Sequence, residues 1–268
     1  SNQYNWYSGN IEVDVSSDGG ATWTNNISVE SDDNYPSPGW KDIDISSVAD
    51  TADAQIKSCI DNCQNFTVVA GAGSGKTGSL IKALVYVRQQ YGKALRTRGQ
   101  QIACITFTNV AVNVIKQRTN LDELFFISTI HSFLWGLVAS YQSDIRATLR
   151  DELIPQRIAK KKESDDGSQS KEAIKAREQV ARLSQDLDNL SEVKQFSYND
   201  GSRRDYSTGR LDHDDIIDLV STMILKQPIL QRIIGHNFPY IFIDEAQDTF
   251  SNVMESLNLV AQAEGLPI

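Results

Sequence analysis

From residue 51 onward the apolar positions alternate between two periods. Short apolar or β-branched runs at Phe66-Thr67-Val68-Val69, 101–107, 125–128 and Tyr240-Ile241-Phe242-Ile243 read as buried strands. Between them, helical spacing predicts helices at about 77–91, 110–118 and 129–142, with a further helix before the first strand. That order predicts a parallel α/β sheet with crossover helices. Residues 161–170, charged and rich in Ser and Gly, read as a loop. Beyond them Val180, Leu183, Leu187 and Leu190 step by three, four and three, an amphipathic helix with a narrow apolar stripe. Packing of a helical insertion is the preferred reading of that stripe, a partner-binding coil the alternative. Asp212-His213-Asp214-Asp215 invites a metal site, but the acids also suit the start of a helix over Ile216–Leu225, where carboxylates cap N–H groups and favour the dipole. The helix start is preferred, and it needs no metal.

The first 50 residues follow a different pattern. Ile11-Glu12-Val13-Asp14-Val15 alternates at period two, Asp18-Gly19-Gly20 is a turn signal, and Trp40, Ile43 and Ile45 continue a second alternation. Three of the four tryptophans, Trp6, Trp23 and Trp40, lie here. A short β-rich segment is expected, weakly resembling part of a secreted β-sandwich module.

The strand at 66–69 runs into Ala70-Gly71-Ala72-Gly73-Ser74-Gly75-Lys76-Thr77, and a helix follows. Closely spaced glycines let a backbone turn its N–H groups toward phosphates, and the helix N-terminus adds partial positive charge. Lys76 is expected to reach the β- and γ-phosphates and Thr77 to offer its hydroxyl to Mg²⁺. The usual pattern begins with Gly, and Ala70 is a departure that leaves the Gly-Lys-Thr end intact. The strand at 240–243 ends in Asp244-Glu245. A carboxylate pair there suits Mg²⁺-dependent hydrolysis, with Asp244 on the metal and Glu245 polarising the attacking water. ATP and Mg²⁺ are the expected cofactors.

Asp244-Glu245-Ala246-Gln247-Asp248-Thr249 resembles motif II of the UvrD/Rep/PcrA-like helicases of superfamily 1. Gln55, 21 residues before Lys76, stands where that family has the glutamine that reads adenine. Thr106-Phe107-Thr108-Asn109, with Ala111 and Arg118, resembles motif Ia, and Ser128-Thr129-Ile130-His131-Ser132-Phe133 resembles motif Ib. The likeness covers about residues 51–268. It implies a RecA-like P-loop NTPase domain with a helical insertion: 51–142 as the first part of the ATP-binding domain, 143–225 as the insertion, and 226–268 as the return. It also implies single-stranded DNA or DNA junctions as partner, held through Thr106, Phe107, Thr108, Asn109, Thr129 and His131. Gln247 would sense the γ-phosphate, movement would run 3′→5′, and the setting would be cytoplasmic. Taken singly, Gln55 also reads as a solvated helix residue, His131 as a core histidine and Phe107 as strand core. Val110 and Val112 stand where the family often has lysine and alanine.

Charge and length refine these expectations. The chain has 268 residues, a net charge of −9 and 40% hydrophobic residues, enough to bury a core. Net charge of that sign argues at first against nucleic acid. However, residues 1–50 hold nine acids and one base, and the remaining 26 acids and 25 bases nearly cancel. Contacts through hydroxyls and amides suit such a surface. No apolar run reaches the roughly 20 residues of a membrane span. The three cysteines, Cys59, Cys63 and Cys104, lack histidines at metal spacing and are expected to be free thiols. The family's later motifs, which carry arginine fingers worth about 10³–10⁵ in rate, are not among these residues, so slow hydrolysis without unwinding is expected of this stretch alone. Two other readings stay open: the motor part of a helicase–nuclease repair enzyme, and a non-enzymatic binding module led by residues 1–50.

Overall fold

The computed structural model describes residues 41–44, 49–69, 75–199, 201, 203–246 and 250–264. In chain order the first elements are β1 (Lys41–Asp44), α1 (Ala49–Asp61), β2 (Phe66–Val69), α2 (Lys76–Thr97), β3 (Ile102–Thr106), α3 (Asn109–Arg118) and β4 (Phe125–Thr129). Next come α4 (Ile130–Val138), α5 (Gln142–Thr148), α6 (Ile154–Glu163), α7 (Lys171–Asn189), β5 (Ser197–Tyr198), β6 (Arg210–Leu211) and α8 (His213–Lys226). The last are α9 (Pro228–Asn237), β7 (Tyr240–Ile243) and α10 (Ser251–Glu264). Of the β-rich segment expected over residues 1–50, residues 1–40 and 45–48 lie outside the described residues, and Lys41–Asp44 form β1.

The chain forms two compact units, one running through Thr129 and resuming at Gln231, the other spanning Ile130–Leu230. In the first, β3 is the middle strand of a parallel sheet ordered β4-β3-β7. All five of its residues are buried, as a strand covered on both faces requires. β2 pairs in parallel with β1. Its Phe66 and Val68 pack on the same core as Ile102, Cys104 and Ile127. Ala52, Ile56, Cys59 and Ile60 of α1 and Ala83, Leu84, Val87 and Leu95 of α2 complete that core at helical spacing. α2 runs six residues past the expected end because Leu95 extends its apolar stripe.

The second unit is mainly helical and takes in residues 143–225, where the insertion was expected, together with α4. The single helix expected over 129–142 is two helices. α4 stops at Val138, and the Gln142 amide holds the break: it donates to the Ala139 carbonyl at 2.8 Å and accepts from the Phe196 N–H at 2.7 Å. The loop expected at 161–170 begins three residues later, since α6 continues through Glu163. α7 packs on α6, and the half-buried stripe of Val180, Leu183 and Leu187 ends in buried Leu190, a packing role.

α8 starts at His213, three residues earlier than expected, through a capping box. The Asp212 side chain accepts from the Asp215 N–H at 2.9 Å and the Asp215 side chain accepts from the Asp212 N–H at 3.0 Å. The acids of this tetrad therefore start a helix. Asp215 is 0% exposed and also accepts from the Tyr206 hydroxyl at 2.6 Å, from Arg204 Nε at 2.9 and 3.0 Å, and from Arg157. Burial pushes this carboxyl up, yet the charges of Arg157 and Arg204 overcome it and hold the group below the usual aspartate range.

Candidate functional site

Gly75 adopts φ 91°, left-handed backbone that favours glycine, and the chain enters α2 at Lys76. Lys76 and Thr77 therefore occupy the first turn of a 22-residue helix with no acidic side chain in that turn. The N–H groups of this turn have no partner within the helix, which makes the end suited to an anion. Ala70, Gly71, Ala72, Gly73 and Ser74 lie outside the described residues.

Asp244 and Glu245 follow directly on β7. The Asp244 N–H donates to the Ile105 carbonyl at 2.8 Å, tying this end of β7 to the end of β3. Glu245 has φ 57°, a left-handed conformation uncommon for a residue with a side chain and a local strain. Half-burial raises the Asp244 carboxyl above the usual range, and the nearby Glu245 charge raises it further. Hydrogen bonding to the Glu245 backbone and the positive charge of Lys76 oppose the rise. Lys76 and Asp244, 168 positions apart in sequence, thus sit within electrostatic reach in one unit. Gln247, Asp248 and Thr249 lie outside the described residues.

Gln55 is half-buried on α1, beside the apolar stripe of Ala52, Ile56 and Cys59. A polar stripe that sequence reasoning missed occupies the other flank: Asp53, Lys57 and Asp61, spaced by four. Asp53 is ion-paired to Lys82 of α2, and the Lys57 ammonium lies 5.5 Å from the Tyr86 ring centroid. Asp61 accepts from the Tyr86 hydroxyl at 2.6 Å and from the Tyr91 hydroxyl at 2.9 Å. The regular spacing of Asp53, Lys57 and Asp61 was the available signal.

The expected DNA-contacting residues differ in availability. Thr106 is 1% exposed at the end of β3 and in register with Thr129, 9% exposed at the end of β4, so both side chains belong to the end of the sheet. Phe107 is half-buried, and Thr108 and Asn109 are exposed. Thr108 caps α3, its hydroxyl oxygen accepting from the Ala111 N–H at 3.1 Å, which leaves its own proton to donate. Val110 is 74% exposed, whereas Val112 is core. In the second unit, His131 is half-exposed on the first turn of α4, its ring centroid 4.2 Å from that of His213. His213 Nδ1 lies 3.3 Å from the Tyr198 hydroxyl.

A helix-borne lysine and threonine after a glycine turn, near a carboxylate pair at a strand end, can bind a phosphate chain with a hard cation and hydrolyse it. The donors fit Mg²⁺, since Thr77 and Asp244 offer hydroxyl and carboxylate oxygen.

The model of the UvrD/REP helicase N-terminal domain matches residues 51–266. The Gabija protein GajB of Bacillus cereus (strain HuB5-5) is 29% identical over an alignment covering 77% of this chain and 39% of that protein. The ATP-dependent DNA helicase UvrD1 of Mycobacterium leprae is also 29% identical, covering 68% of this chain and 26% of its own length. The ATP-dependent DNA helicase Rep of Buchnera aphidicola subsp. Schizaphis graminum is 25% identical over 72% of this chain and 32% of that protein. The chain thus spans between about a quarter and two fifths of the length of these relatives. Residues 1–50 lie outside the family match.

Proposed function

The chain belongs to the UvrD/REP helicase N-terminal domain family, and from that premise we propose that it is the ATP-binding, DNA-contacting part of an ATP-dependent DNA helicase. The observation that supports this reading best is the approach of Lys76, in the first turn of α2, to Asp244 at the end of β7. In this reading the 70–77 loop and the start of α2 hold the phosphates, Lys76 reaches the β- and γ-phosphates, and Gln55 reads the adenine. Mg²⁺, held by Thr77 and Asp244, would neutralise charge on the phosphates. Glu245 orients the attacking water, and Gln247 senses the γ-phosphate. Residues 51–142 and 226–268 form the ATP-binding domain, with 143–225 inserted.

DNA is gripped at strand and helix ends. Thr108 and Asn109 present an exposed hydroxyl and amide to phosphates and Phe107 offers an aromatic face; His131, half-exposed in the helical unit, is a further contact in this reading. Thr106 and Thr129 shape the end of the sheet that positions these contacts. Movement in the 3′→5′ direction is part of the proposal.

Titration with a fluorescent ATP analogue and Mg²⁺, comparing the chain with Lys76→Ala, tests the reading. Saturable binding lost in the folded variant is expected. Equal binding by both proteins would overturn the site.

A further inference from the structure

α1 meets α2 through two kinds of contact on different sides of its axis. Ala52, Ile56, Cys59 and Ile60 form the apolar seam. Such a seam is non-directional and sets the distance between helices better than their rotation. Asp53, Lys57 and Asp61 lie on one flank of that seam, and Gln55 lies on the other. Each member of the polar row reaches α2, at Lys82, at the Tyr86 ring and at the Tyr86 and Tyr91 hydroxyls. The Asp61 carboxylate is the centre of the row, each of its oxygens taking one tyrosine hydroxyl. We infer that this row is a mount that fixes the rotation of α1 on α2, and thereby makes Asp61, Tyr86 and Tyr91 positioning residues for base selection by Gln55.

The inference rests on the reading of Gln55 as the adenine contact. Adenine presents a donor and an acceptor that match a glutamine amide, whereas the corresponding edge of guanine presents two acceptors. Such recognition depends on orientation. A roll of about 15° at the ~5–6 Å outer radius of a helix moves a side-chain tip by about 1.5 Å, and a displacement near 1 Å is enough to break a bidentate contact. α2 is the right base for the mount, because the same helix begins at Lys76 and Thr77. Base and phosphates are then read from two helices held in a fixed relation, Gln55 on α1 and Lys76 with Thr77 on α2.

The tyrosine hydroxyls stay protonated as donors at neutral pH. Hydrogen bonding to Asp61, helped by burial, pushes Tyr86 up to about 12, and burial with the same carboxylate raises Tyr91. Neither phenol carries a role in the seam that phenylalanine could not fill, so removing both oxygens isolates the mount.

The test measures dissociation constants of fluorescent ATP and GTP analogues with Mg²⁺ for the whole chain, Tyr86→Phe/Tyr91→Phe, Gln55→Ala and the triple variant. The double variant is expected to weaken ATP binding about 5–10-fold and GTP binding less than twofold, collapsing the ATP/GTP ratio. Gln55→Ala should collapse it equally, and the triple variant should add nothing. A merely structural role would weaken both nucleotides together, and that result overturns the mount. An unchanged ratio in the double variant beside a collapsed one in Gln55→Ala overturns the mount alone. An unchanged ratio in Gln55→Ala shows instead that the glutamine reading fails, and the inference falls with it. Should the double variant not fold by circular dichroism, Asp61→Asn reads the same ratio with a smaller expected collapse of about threefold.

Discussion

Asp215→Asn tests how the helical unit is held together. The substitution keeps the side chain's size and removes its charge, leaving Arg157 and Arg204, which are 16% and 30% exposed, facing an uncharged amide on a side chain that is itself fully buried. It also alters the capping box, because the Asp215 carboxylate accepts from the Asp212 N–H. Breaking one partner out of a buried ionic cluster costs about 3–5 kcal/mol. With a urea slope of about 2 kcal/mol/M, the unfolding midpoint should fall by about 1.5–2.5 M. Urea denaturation followed by circular dichroism at 222 nm reads that shift. The pH dependence has a fixed sign. The folded Asp215 carboxyl lies below its ordinary value, so its stabilisation is fully present above the unfolded aspartate pKa of about 3.9 and is lost as pH falls through the depressed folded value. The gap between wild type and variant should therefore be wide at pH 7 and narrow in acid below pH 4. A midpoint shift under 0.5 M, or a gap of equal size at both pH values, would refute the reasoning, as stability would then not depend on the charge of Asp215.

Two further outcomes follow from local geometry. Gly209 has φ 77°, and a Cβ there would lie 2.2 Å from the Gln195 carbonyl oxygen and 2.8 Å from Val193 Cγ1. Gly209→Ala should therefore lower stability by about 2–5 kcal/mol, combining left-handed strain with overpacking, and a thermal midpoint within 2 °C of wild type would contradict it. Of the three thiols, Cys59 and Cys104 are buried and Cys63 is exposed. Burial, with the Asp244 charge adding, pushes Cys104 up to about 12. A thiol reagent at pH 8 should titrate one thiol in the native protein and three in denaturant; two fast thiols in the native protein would be at odds with the described core.

The elements that sequence rendered well were those whose signal is local. Buried runs such as Tyr240–Ile243 carry their period in four residues, and the acids at 212–215 announce a helix start through the Ncap-to-N3 spacing. The break after Val138 was not legible, because the Gln142 amide that holds it reaches Phe196, 54 residues away. Arg157 was equally silent, since its meaning comes from Asp215 and Tyr206 across the unit. In the candidate site, residue types in their motifs pointed to Lys76 and Asp244 and the family resemblance pointed to Gln55, but neither pointed to the mount on α1, whose partners lie in another helix. Nor did sequence convey burial: Thr106 and Thr108 look alike in a motif, yet one is enclosed at the end of a strand and the other caps a helix in solvent.

β3 has a consequence for timing as well as for shape. Its Ile105 pairs in register with Ser128 on one side and Ile243 on the other, and its carbonyl takes the Asp244 N–H. Asp244 and Glu245, which follow β7, and the end of β4 are therefore separated by only two interstrand spacings, about 10 Å. If phosphate chemistry at one side is to be felt at a polynucleotide on the other, no long relay is needed. A shift of this single strand would move both edges in the same stroke, and under the proposed function substitutions that soften β3 should uncouple nucleotide hydrolysis from DNA movement before they abolish either.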